Sequence, residues 1–293
     1  MSRKQLRAGA WARWPMGILC SLALMAPVVG SADMELKFGV YTSKKPTDMV
    51  KQSRPLLLML EENLSAALKQ KVQIRLEVAK TYEDGIQALV DGSYDFAQVG
   101  PVSYVQAKEK APGLEVLAVE GLKGQKTLNG VICVLSNAVI ATISDLAGKK
   151  FAFGDEFSTT GRFNSQLYLV EHGITSKELS LFKYLERHDR VGAAIAGGDF
   201  DAGALNERTF KKLLETGAPL RALAYFPIDG RPWVARAGLD AKVKEALRKA
   251  LLEIKDPKAL ASLGEEGLSF LPGRDEDFGA TRKAVKENFR FTP

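Results

Sequence analysis

Residues 86–104 read IQALVDGSYDFAQVGPVSY, and residues 192–210 read GAAIAGGDFDAGALNERTF. Aligned without a gap, the two stretches share a glycine, an aromatic residue and an aspartate, at Gly92 and Gly198, Tyr94 and Phe200, and Asp95 and Asp201. Each stretch has the pattern of a helix end, a glycine turn, a strand and a polar loop. One copy falls in each half of the chain, so the repeat predicts two similar lobes.

Strand and helix patterns alternate along the rest of the chain. Leucines recur at helical spacing from Leu57 to Leu68, and apolar residues recur at strand spacing from Val72 to Val78. Other predicted elements are strands at Leu36–Tyr41, Tyr94–Val99, Leu114–Val119 and Phe151–Gly154, and helices at Glu83–Val90 and Ala241–Ile254. This alternation favours an α/β architecture with mostly parallel sheets. Two such lobes would place a ligand in the cleft between them, at the carboxyl ends of the strands.

The first 32 residues have the pattern of a secretory signal peptide. Four bases precede an apolar run from Met16 to Val29, and Gly30–Ser31–Ala32 supplies the small residues of a cleavage site. The run is too short for a transmembrane helix, although an N-terminal membrane anchor is the alternative interpretation. We therefore expect export to the periplasm and a mature chain that begins near Asp33. The residues before Cys20 do not match a lipoprotein site.

Composition excludes several classes of function. The net charge is +6, and the four bases of the leader leave +2 for the rest, so no basic surface for nucleic acid is expected. Cys133 is the one cysteine outside the leader, in an apolar strand typical of a small buried residue. The sequence has two histidines, no catalytic triad pattern and no cluster of metal ligands. We therefore expect no catalytic residue, no metal and no cofactor.

Residues 153–163, FGDEFSTTGRF, place three consecutive hydroxyl groups where a strand meets a helix. The first N–H groups of a helix lack internal partners and carry the positive end of the helix dipole. Ser158, Thr159 and Thr160 would add hydroxyl donors there, and Gly161 would let an anion approach the backbone. The turn therefore predicts an oxyanion site. The alternative is an ordinary N-cap, because Ser and Thr are common at helix starts.

These motifs resemble those of periplasmic substrate-binding proteins of the phosphonate, phosphite and phosphate type, the binding components of ABC importers. The family's Ser-Thr-Ser-Gly turn is matched by residues 158–161, and its D-x-A-x-x-G-P-x-x-Y pattern by residues 95–104. Its second-lobe pattern is matched by His188–Asp189 and residues 198–204. The resemblance spans about residues 36–285. It implies the two-lobe fold of type II periplasmic binding proteins, with the ligand cleft between the lobes.

The resemblance also implies domain boundaries. The expected segments are a signal peptide at 1–32, the first part of lobe one at 33–124, lobe two at 125–226, and a return to lobe one with the C-terminal helices at 227–293. The two crossovers are expected near residues 121–130 and 227–232, which are rich in turn residues.

Ligand contacts are implied from both lobes. By resemblance, Tyr41 and Tyr104 face the cleft from lobe one, where Ser103 is a further candidate. Lobe two would supply the hydroxyl turn at residues 158–160 and His188, which helps to hold the anion. Gly161 is a further candidate on the same turn.

Acidic residues near the expected site bear on the choice of ligand. Glu207, and less closely Asp229, match positions where phosphonate binders keep an acid for an ammonium group, although Glu207 is also consistent with a solvated loop acid. Two departures from the family pattern affect the same site. Thr160 replaces a serine, and its extra methyl group would narrow the site. Arg162 follows the glycine, where it either turns inward toward a more strongly charged anion or lies on the surface.

The resemblance implies a non-catalytic capture protein that delivers a small oxyanion to an ABC transporter permease in the inner membrane, acting as a monomer. The same fold also serves as the ligand-reading part of signalling systems, and the sequence leaves both roles open. A secreted hydrolase with Ser158 as nucleophile is a third interpretation. It is disfavoured because the stretch lacks the G-x-S-x-G elbow.

Overall fold

The strands of the protein form two mixed β-sheets in the computed structural model, which describes residues 33–41, 46–261 and 267–292. The first sheet has the order β11–β4–β10–β3–β1–β2, with β1 at Met34–Tyr41, β2 at Val72–Ala79, β3 at Phe96–Gln98, β4 at Glu115–Leu122, β10 at Pro232–Ala235 and β11 at Leu268–Leu271. The second has the order β7–β6–β8–β5–β9, with β5 at Thr127–Leu135, β6 at Lys150–Phe153, β7 at Leu181–Tyr184, β8 at Ala202–Asn206 and β9 at Leu220–Asp229.

Helices connect most of the strands. They are α1 at Pro46–Leu68, α2 at Tyr82–Val90, α3 at Pro101–Lys110, α4 at Asn164–Glu171, α5 at His188–Ala196, α6 at Glu207–Glu215, α7 at Ala241–Glu253, α8 at Pro257–Ala261 and α9 at Gly279–Glu287. A π-helical turn at Thr159–Phe163 leads into α4, and short 3-10 turns lie at Ile143–Leu146, Asp275–Phe278 and Asn288–Arg290. The leucine stripe of α1 is buried, as its helical spacing predicts.

The repeat in the sequence is also a structural repeat. In each sheet three parallel strands alternate with helices, β1–β2–β3 in the first and β6–β7–β8 in the second. The Asp95 carboxylate accepts a 2.9 Å bond from the N–H of Lys37, and the Asp201 carboxylate accepts a 2.8 Å bond from the N–H of Lys150. Each aspartate thus ties its short strand to the first of the three parallel strands of its own sheet.

A glycine precedes each of these aspartates for a conformational reason. Gly92 and Gly198 have φ angles of 74° and 80°, where a side chain would be strained. Both glycines end a helix and turn the chain back toward the sheet.

The chain passes between the sheets twice, at adjacent positions. The first passage joins β4 to β5 through a turn with positive φ at Lys123 and Gly124, and the second joins β9 to β10. The two passages are bonded to each other: the N–H of Glu120 donates to the carbonyl of Arg231 at 2.9 Å, and the N–H of Gly230 donates to that of Lys126 at 2.7 Å. The described residues form one compact unit.

The C-terminal segment divides between the two sheets. Helix α7 packs against α1 and β4, on the first sheet, where a return to lobe one is expected. Helix α9 contacts α3 as well as α4 and β9, and the residues after it contact the second sheet. The Phe291 ring lies 5.3 Å from that of Phe153, and Lys283 forms a 3.1 Å ion pair with Glu171. Residues 279–292 therefore contact both halves of the molecule, and the expected assignment of 227–293 to lobe one stays a prediction.

The remaining features discussed from the sequence are Cys133, the two histidines, the leader, and membrane-spanning or metal-binding segments. Cys133 is fully buried, and burial raises the pKa of its thiol to about 12. His172 follows the last residue of α4 as its C-cap. The predicted signal peptide and Cys20 lie outside the described residues. Within the described ranges no helix is long and apolar enough to cross a membrane, and no group of three or more His, Cys, Asp or Glu side chains is placed to hold a metal ion.

Candidate functional site

A cavity of about 90 Å³ lies where the carboxyl ends of the parallel strands of both sheets meet. Its wall is built by the segments that follow β1, β2 and β3 on one side and β6, β7 and β8 on the other, completed by residues of the two passages between the sheets. One water molecule needs at least about 10–15 Å³ of such volume, so the cavity has room for a small polyatomic ligand. This is the position at which open α/β sheets bind ligands.

Helix N-termini surround this cavity. Within the described residues, five helical segments begin with a residue of the cavity wall. They are α2 at Tyr82, α3 at Pro101, the π-helical turn at Thr159, α5 at His188 and α6 at Glu207. Each helix start presents N–H groups that lack intrahelical partners, together with the positive end of a dipole. Their convergence gives the cavity a positive potential suited to an anion.

The hydroxyl turn lies in the wall, and all three of its hydroxyl residues are buried. Ser158 Oγ accepts a 2.9 Å bond from the N–H of Gly161, so this residue is an N-cap, as the alternative interpretation holds. Thr159 Oγ1 accepts a 2.9 Å bond from the N–H of Val102, across the cleft. In these two bonds the hydroxyl oxygens are acceptors, so their hydrogen atoms are not used in them.

The extra methyl group of Thr160 has its own place. A side chain at Gly130 would meet Thr160 Cγ2 at 2.8 Å, so this methyl lies close to the backbone of β5. Gly130 is not part of the cavity wall. The methyl is therefore accommodated on the side of the strand by the absence of a side chain at residue 130.

Tyr41 lines the cavity from the end of β1. Its hydroxyl accepts a bond from the N–H of Gly100 and shares a 3.0 Å bond with Ser103 Oγ. Its ring packs on that of Tyr82, with 3.9 Å between the ring centroids. Burial raises the pKa of Tyr41 to about 12, so the hydroxyl is neutral at physiological pH. Ser103 is thus a hydrogen-bond partner of this hydroxyl and does not itself line the cavity.

His188 is buried in the wall at the first position of α5. Burial, and then the charges of Arg231 and Arg208, lower its pKa to about 4. Its Nδ1 atom has no hydrogen-bond partner among the described residues. The ring is therefore a neutral group at physiological pH, able to donate or accept one hydrogen bond at each nitrogen according to its tautomer.

Glu207 also lines the cavity, but other residues engage its carboxylate. Lys211 Nζ lies 3.0 Å from Oε1, and Asn129 Nδ2 donates to Oε2 at 2.9 Å. Glu207 is thus not a solvated loop acid, since its side chain is only 16% exposed. A ligand ammonium group would have to compete with Lys211 for the carboxylate.

Two residues expected in the site lie outside the cavity wall. Tyr104 is fully buried, and its hydroxyl donates to Asp275 at 2.6 Å while its ring packs on Phe278. Asp229 accepts bonds of 3.1 and 2.6 Å from the N–H and Oγ1 of Thr281, at the start of α9. Both side chains hold the C-terminal segment in place, so this structure does not support their expected contact with ligand.

Arg162 and Gly161 are also placed away from the cavity. Arg162 Nη1 donates to the carbonyl of Glu156 at 2.8 Å, and Nη2 donates to Asn288 Oδ1 at 3.0 Å. This guanidinium therefore turns away from the anion site. The role of Gly161 is close packing, because a Cβ there would lie 2.8 Å from the Cα of Gly154.

Two cations of the cavity wall, Arg208 and Arg231, were not predicted from the sequence. Arg231 Nε lies 3.3 Å from Oε2 of Glu120, which is fully buried. Glu120 Oε1 also accepts bonds from Gln98 and, at 3.1 Å, from Trp233. The position of Arg208 could have been inferred from the repeat. Arg208 aligns with Val102, in the first turn of the equivalent helix, and both helices begin at the cavity.

Comparison with known proteins places these features in context. Residues 38–278 match the family described as "ABC transporter, phosphonate, periplasmic substrate-binding protein". The probable ABC transporter phosphite binding protein of Prochlorococcus marinus is 30% identical over 174 residues, which are 55% of this chain and 58% of that protein. The phosphate-import protein of Mycolicibacterium smegmatis is 26% identical over 188 residues, 60% of this chain and 56% of that protein.

The chain therefore spans less than two thirds of the length of these two curated relatives. Among solved structures, PhnD1 of Prochlorococcus marinus in complex with methylphosphonate has a TM-score of 0.76 at 21% identity. That match covers 87% of this chain and 98% of the other. At this identity the likeness concerns the fold, which is the type II periplasmic binding protein fold expected from the sequence.

Proposed function

The chain belongs to the family of periplasmic substrate-binding proteins of phosphonate ABC transporters, and on this premise we propose that it captures a small phosphorus oxyanion and delivers it to an importer. The observation that carries the proposal is the convergence of five helix starts, one of them the hydroxyl turn, on one small cavity. Such a wall offers backbone N–H groups, hydroxyl donors and positive dipoles to one tetrahedral anion. The members of this family are transport proteins rather than enzymes.

The head group of the ligand is proposed to lie against the hydroxyl turn. The N–H groups of Thr159 and Thr160 and the hydroxyls of Ser158 to Thr160 would donate to its oxygens from the second sheet, and Tyr41 would donate from the first. His188 is neutral, so it contributes one donor without adding charge. The arginines of the wall add the long-range attraction that speeds the capture of an anion.

Each sheet is proposed to form the centre of one lobe, and the two passages between them to form the hinge. Lobe one then consists of residues 33–124 and the return after residue 229, with residues 279–292 proposed to move with lobe two. The cross-cleft bond from Val102 to Thr159 marks the closed arrangement. Opening would break that bond and admit the ligand, as in hinge closure generally.

The remaining parts of the proposal concern location and partners. Residues 1–32 direct export to the periplasm, no catalytic step occurs, and the closed monomer docks on an ABC permease in the inner membrane. The family assignment favours this carrier role over the sensor role.

Thermal unfolding with candidate oxyanions tests the proposal. Phosphite, methylphosphonate and phosphate are compared with sulfate and nitrate at equal concentration and ionic strength. A ligand at a hundredfold excess over its Kd stabilises the protein by about 2.7 kcal/mol, which raises the Tm. At least one phosphorus oxyanion should do so and nitrate should not. Equal Tm values with all five anions would refute the assignment of the site.

A further inference from the structure

A second space, here called the side chamber, adjoins the cavity described above, which is now called the main cavity. The side chamber has a volume of about 40 Å³, which is enough for a short substituent, since one water needs at least about 10–15 Å³. The two spaces share five wall residues: Val40, Met49, Gln98, Arg208 and Arg231. They are therefore neighbours, and a ligand in the main cavity is well placed to extend into the side chamber.

The wall that belongs to the side chamber alone is largely apolar. Phe38, Leu56 and Trp233 are all buried, and the rings of Phe38 and Trp233 stack with 4.6 Å between their centroids. The polar residues of this wall are Gln52 and Ser53, which belong to α1. Because burial against such a wall stabilises carbon atoms, we expect the part of a ligand that enters the chamber to be mainly an alkyl group.

One polar atom of the side chamber lacks a partner. Gln52 Oε1 is buried and has no hydrogen-bond partner among the described residues. Buried polar groups are nearly always satisfied, because leaving one unpaired costs the free energy of its desolvation. An amide oxygen accepts hydrogen bonds and cannot donate them, so the partner that Gln52 Oε1 lacks is a donor.

Nearby nitrogen donors of the wall are engaged by Glu120. Gln98 Nε2 and, at 3.1 Å, Trp233 Nε1 both donate to Glu120 Oε1. Since a carboxylate only accepts, this bond also fixes the orientation of the Gln98 amide, with its nitrogen toward Glu120. Gln98 is left to present its oxygen, which is a second acceptor at the boundary of the two spaces. The hydrogen that Gln52 Oε1 lacks is thus one that an incoming group can supply.

The donor that fits this position is electrically neutral. No carboxylate is among the described residues that line the side chamber, so a buried ammonium group would lack a counter-charge there. A carboxylate on the ligand would instead bring a further acceptor against the amide oxygens. A hydroxyl group can donate to Gln52 Oε1. It would also be satisfied if that amide turned over, because a hydroxyl both donates and accepts.

We propose that the ligand is a hydroxyalkylphosphonate. Its phosphonate lies against the hydroxyl turn in the main cavity, its carbon chain passes Met49, which lines both spaces, and its hydroxyl group donates to Gln52 Oε1. The small volume of the side chamber favours a short carbon chain, as in 2-hydroxyethylphosphonate. This inference rests on the proposed function, and it assigns a neutral substituent where the resemblance implies, through Glu207, an ammonium group.

Calorimetric titration of the mature chain with four probes tests the proposal. 2-Hydroxyethylphosphonate carries the hydroxyl group, propylphosphonate has a methyl group in its place, 2-aminoethylphosphonate has an ammonium group in its place, and methylphosphonate lacks the longer chain. The hydroxyethyl compound should bind about tenfold more tightly than propylphosphonate, because the methyl group would leave the buried acceptor unpaired. The aminoethyl compound should bind more weakly than the hydroxyethyl compound.

Replacement of Gln52 identifies the group that binds the hydroxyl. Gln52→Met keeps the length of the side chain and removes the amide, so the preference for the hydroxyethyl compound over propylphosphonate should be lost. The matched control is Gln73→Met, since Gln73 is exposed on β2 and lines neither space. This control should keep the preference. Where Gln52→Met fails to fold, the comparison of the probes on the unaltered chain decides by itself.

The outcomes separate this inference from the proposed function. Binding of methylphosphonate with no preference for the hydroxyethyl compound over propylphosphonate overturns the hydroxyl subsite and leaves the oxyanion site standing. A preference that persists in Gln52→Met also overturns the subsite, and so does tighter binding of the aminoethyl compound than of the hydroxyethyl compound. Binding of none of the four compounds overturns both proposals.

Discussion

The backbone N–H of Val102 donates a 2.9 Å hydrogen bond to Oγ1 of Thr159, so the hydroxyl turn of one sheet caps the first turn of a helix on the other. The two residues are 57 positions apart and belong to different halves of the structural repeat. Next to this bond, Val102 packs with Phe163 and Ala284 in a small apolar cluster that also joins the two sheets. On the proposed function, closure and ligand binding use the same hydroxyl.

Replacement of Thr159 should affect affinity more than stability. In Thr159→Ala the cross-cleft bond and one donor to the oxyanion are both lost, so binding should weaken by about 1.5–3 kcal/mol, the range for a hydrogen bond to a charged group. The free energy of unfolding should fall by about 1 kcal/mol, as for other cap hydroxyls. Calorimetric titration and thermal unfolding measure the two quantities.

Thr159→Ser is the control for this substitution, because it keeps the hydroxyl and removes only a methyl group. It should retain most of the affinity. Unchanged affinity in Thr159→Ala would remove this hydroxyl from the site.

Removal of the Arg231 guanidinium should destabilise the protein, because Glu120 is fully buried and would be left without its cation. Breaking a buried pair by removing one partner costs about 3–5 kcal/mol, so Arg231→Met should lower the Tm markedly. Adding Glu120→Gln removes the stranded charge and should restore most of the stability. The amide oxygen can still accept from Trp233, which lies 3.1 Å from the present carboxylate.

The double variant also separates the two roles of Arg231. With stability restored, affinity for a phosphorus oxyanion should still be reduced, since the cation of the wall is absent. A double variant that is as unstable as Arg231→Met would show that the stranded charge of Glu120 is not the cause of the instability.

Stability should depend on pH through His188. Burial, with Arg231 and Arg208, lowers the pKa of His188 to about 4 in the folded chain, from 6.5 in a free histidine. Between these values the unfolded chain binds one more proton than the folded chain, so the free energy of unfolding falls as the pH falls. The contribution is fully present above about pH 6.5 and is lost by about pH 4. Its size is about 3 kcal/mol, from about 1.4 kcal/mol for each pH unit.

Thermal unfolding between pH 4 and pH 7 checks this dependence. The slope should become flatter in His188→Gln, which cannot take up the proton, while His172→Gln should keep it because His188 is still present. An identical slope in His188→Gln and the unaltered chain would contradict the assignment of this titration to His188.

The repeat and the hydroxyl turn could be predicted because they depend on local chemistry. A glycine with positive φ must end each repeated helix, and an aspartate beside the strand bonds to the neighbouring backbone. Both requirements are visible in a stretch of about ten residues. The same holds for the hydroxyls at residues 158–160, since a strand followed by a helix start fixes their position.

The direction of longer side chains could not be predicted in this way. Tyr104 follows the Gly100–Pro101 pair of the family motif, yet its hydroxyl bonds to Asp275, which is 171 positions away in sequence. In the sequence, Arg231 could be recognised only as a residue near a crossover. Its structural role depends on its ion pair with the buried Glu120 of another strand. Such contacts arise from tertiary packing, so no local pattern reveals them.

Export should remove the first 32 residues. The small residues Gly30–Ser31–Ala32 after the apolar run define the cleavage site, so the mature chain should begin near Asp33. Mass spectrometry of the protein recovered from the periplasm gives the N-terminus directly. A lipid-modified N-terminus at Cys20 would instead assign the leader to the lipoprotein pathway.

Replacement of Glu207 tests the sign of charge that the site prefers. The carboxylate lies in the cavity wall and is engaged by Lys211 at 3.0 Å and by Asn129 at 2.9 Å. Because it already has a cation, it should not serve as the partner of a ligand ammonium group. Its remaining effect on an oxyanion is repulsion at short range. Glu207→Gln should therefore raise the affinity for phosphite and for 2-aminoethylphosphonate alike, by about two- to tenfold, an energy of roughly 1 kcal/mol.

Lys211 supplies the matched control with the opposite sign. Lys211→Met leaves the Glu207 carboxylate without its cation, so affinity for phosphite should fall, whereas a ligand ammonium group could now take the place of the lysine. Titrations of both variants with both ligands decide the question. Weaker binding of 2-aminoethylphosphonate alone in Glu207→Gln would establish the ammonium pairing that the family resemblance implies.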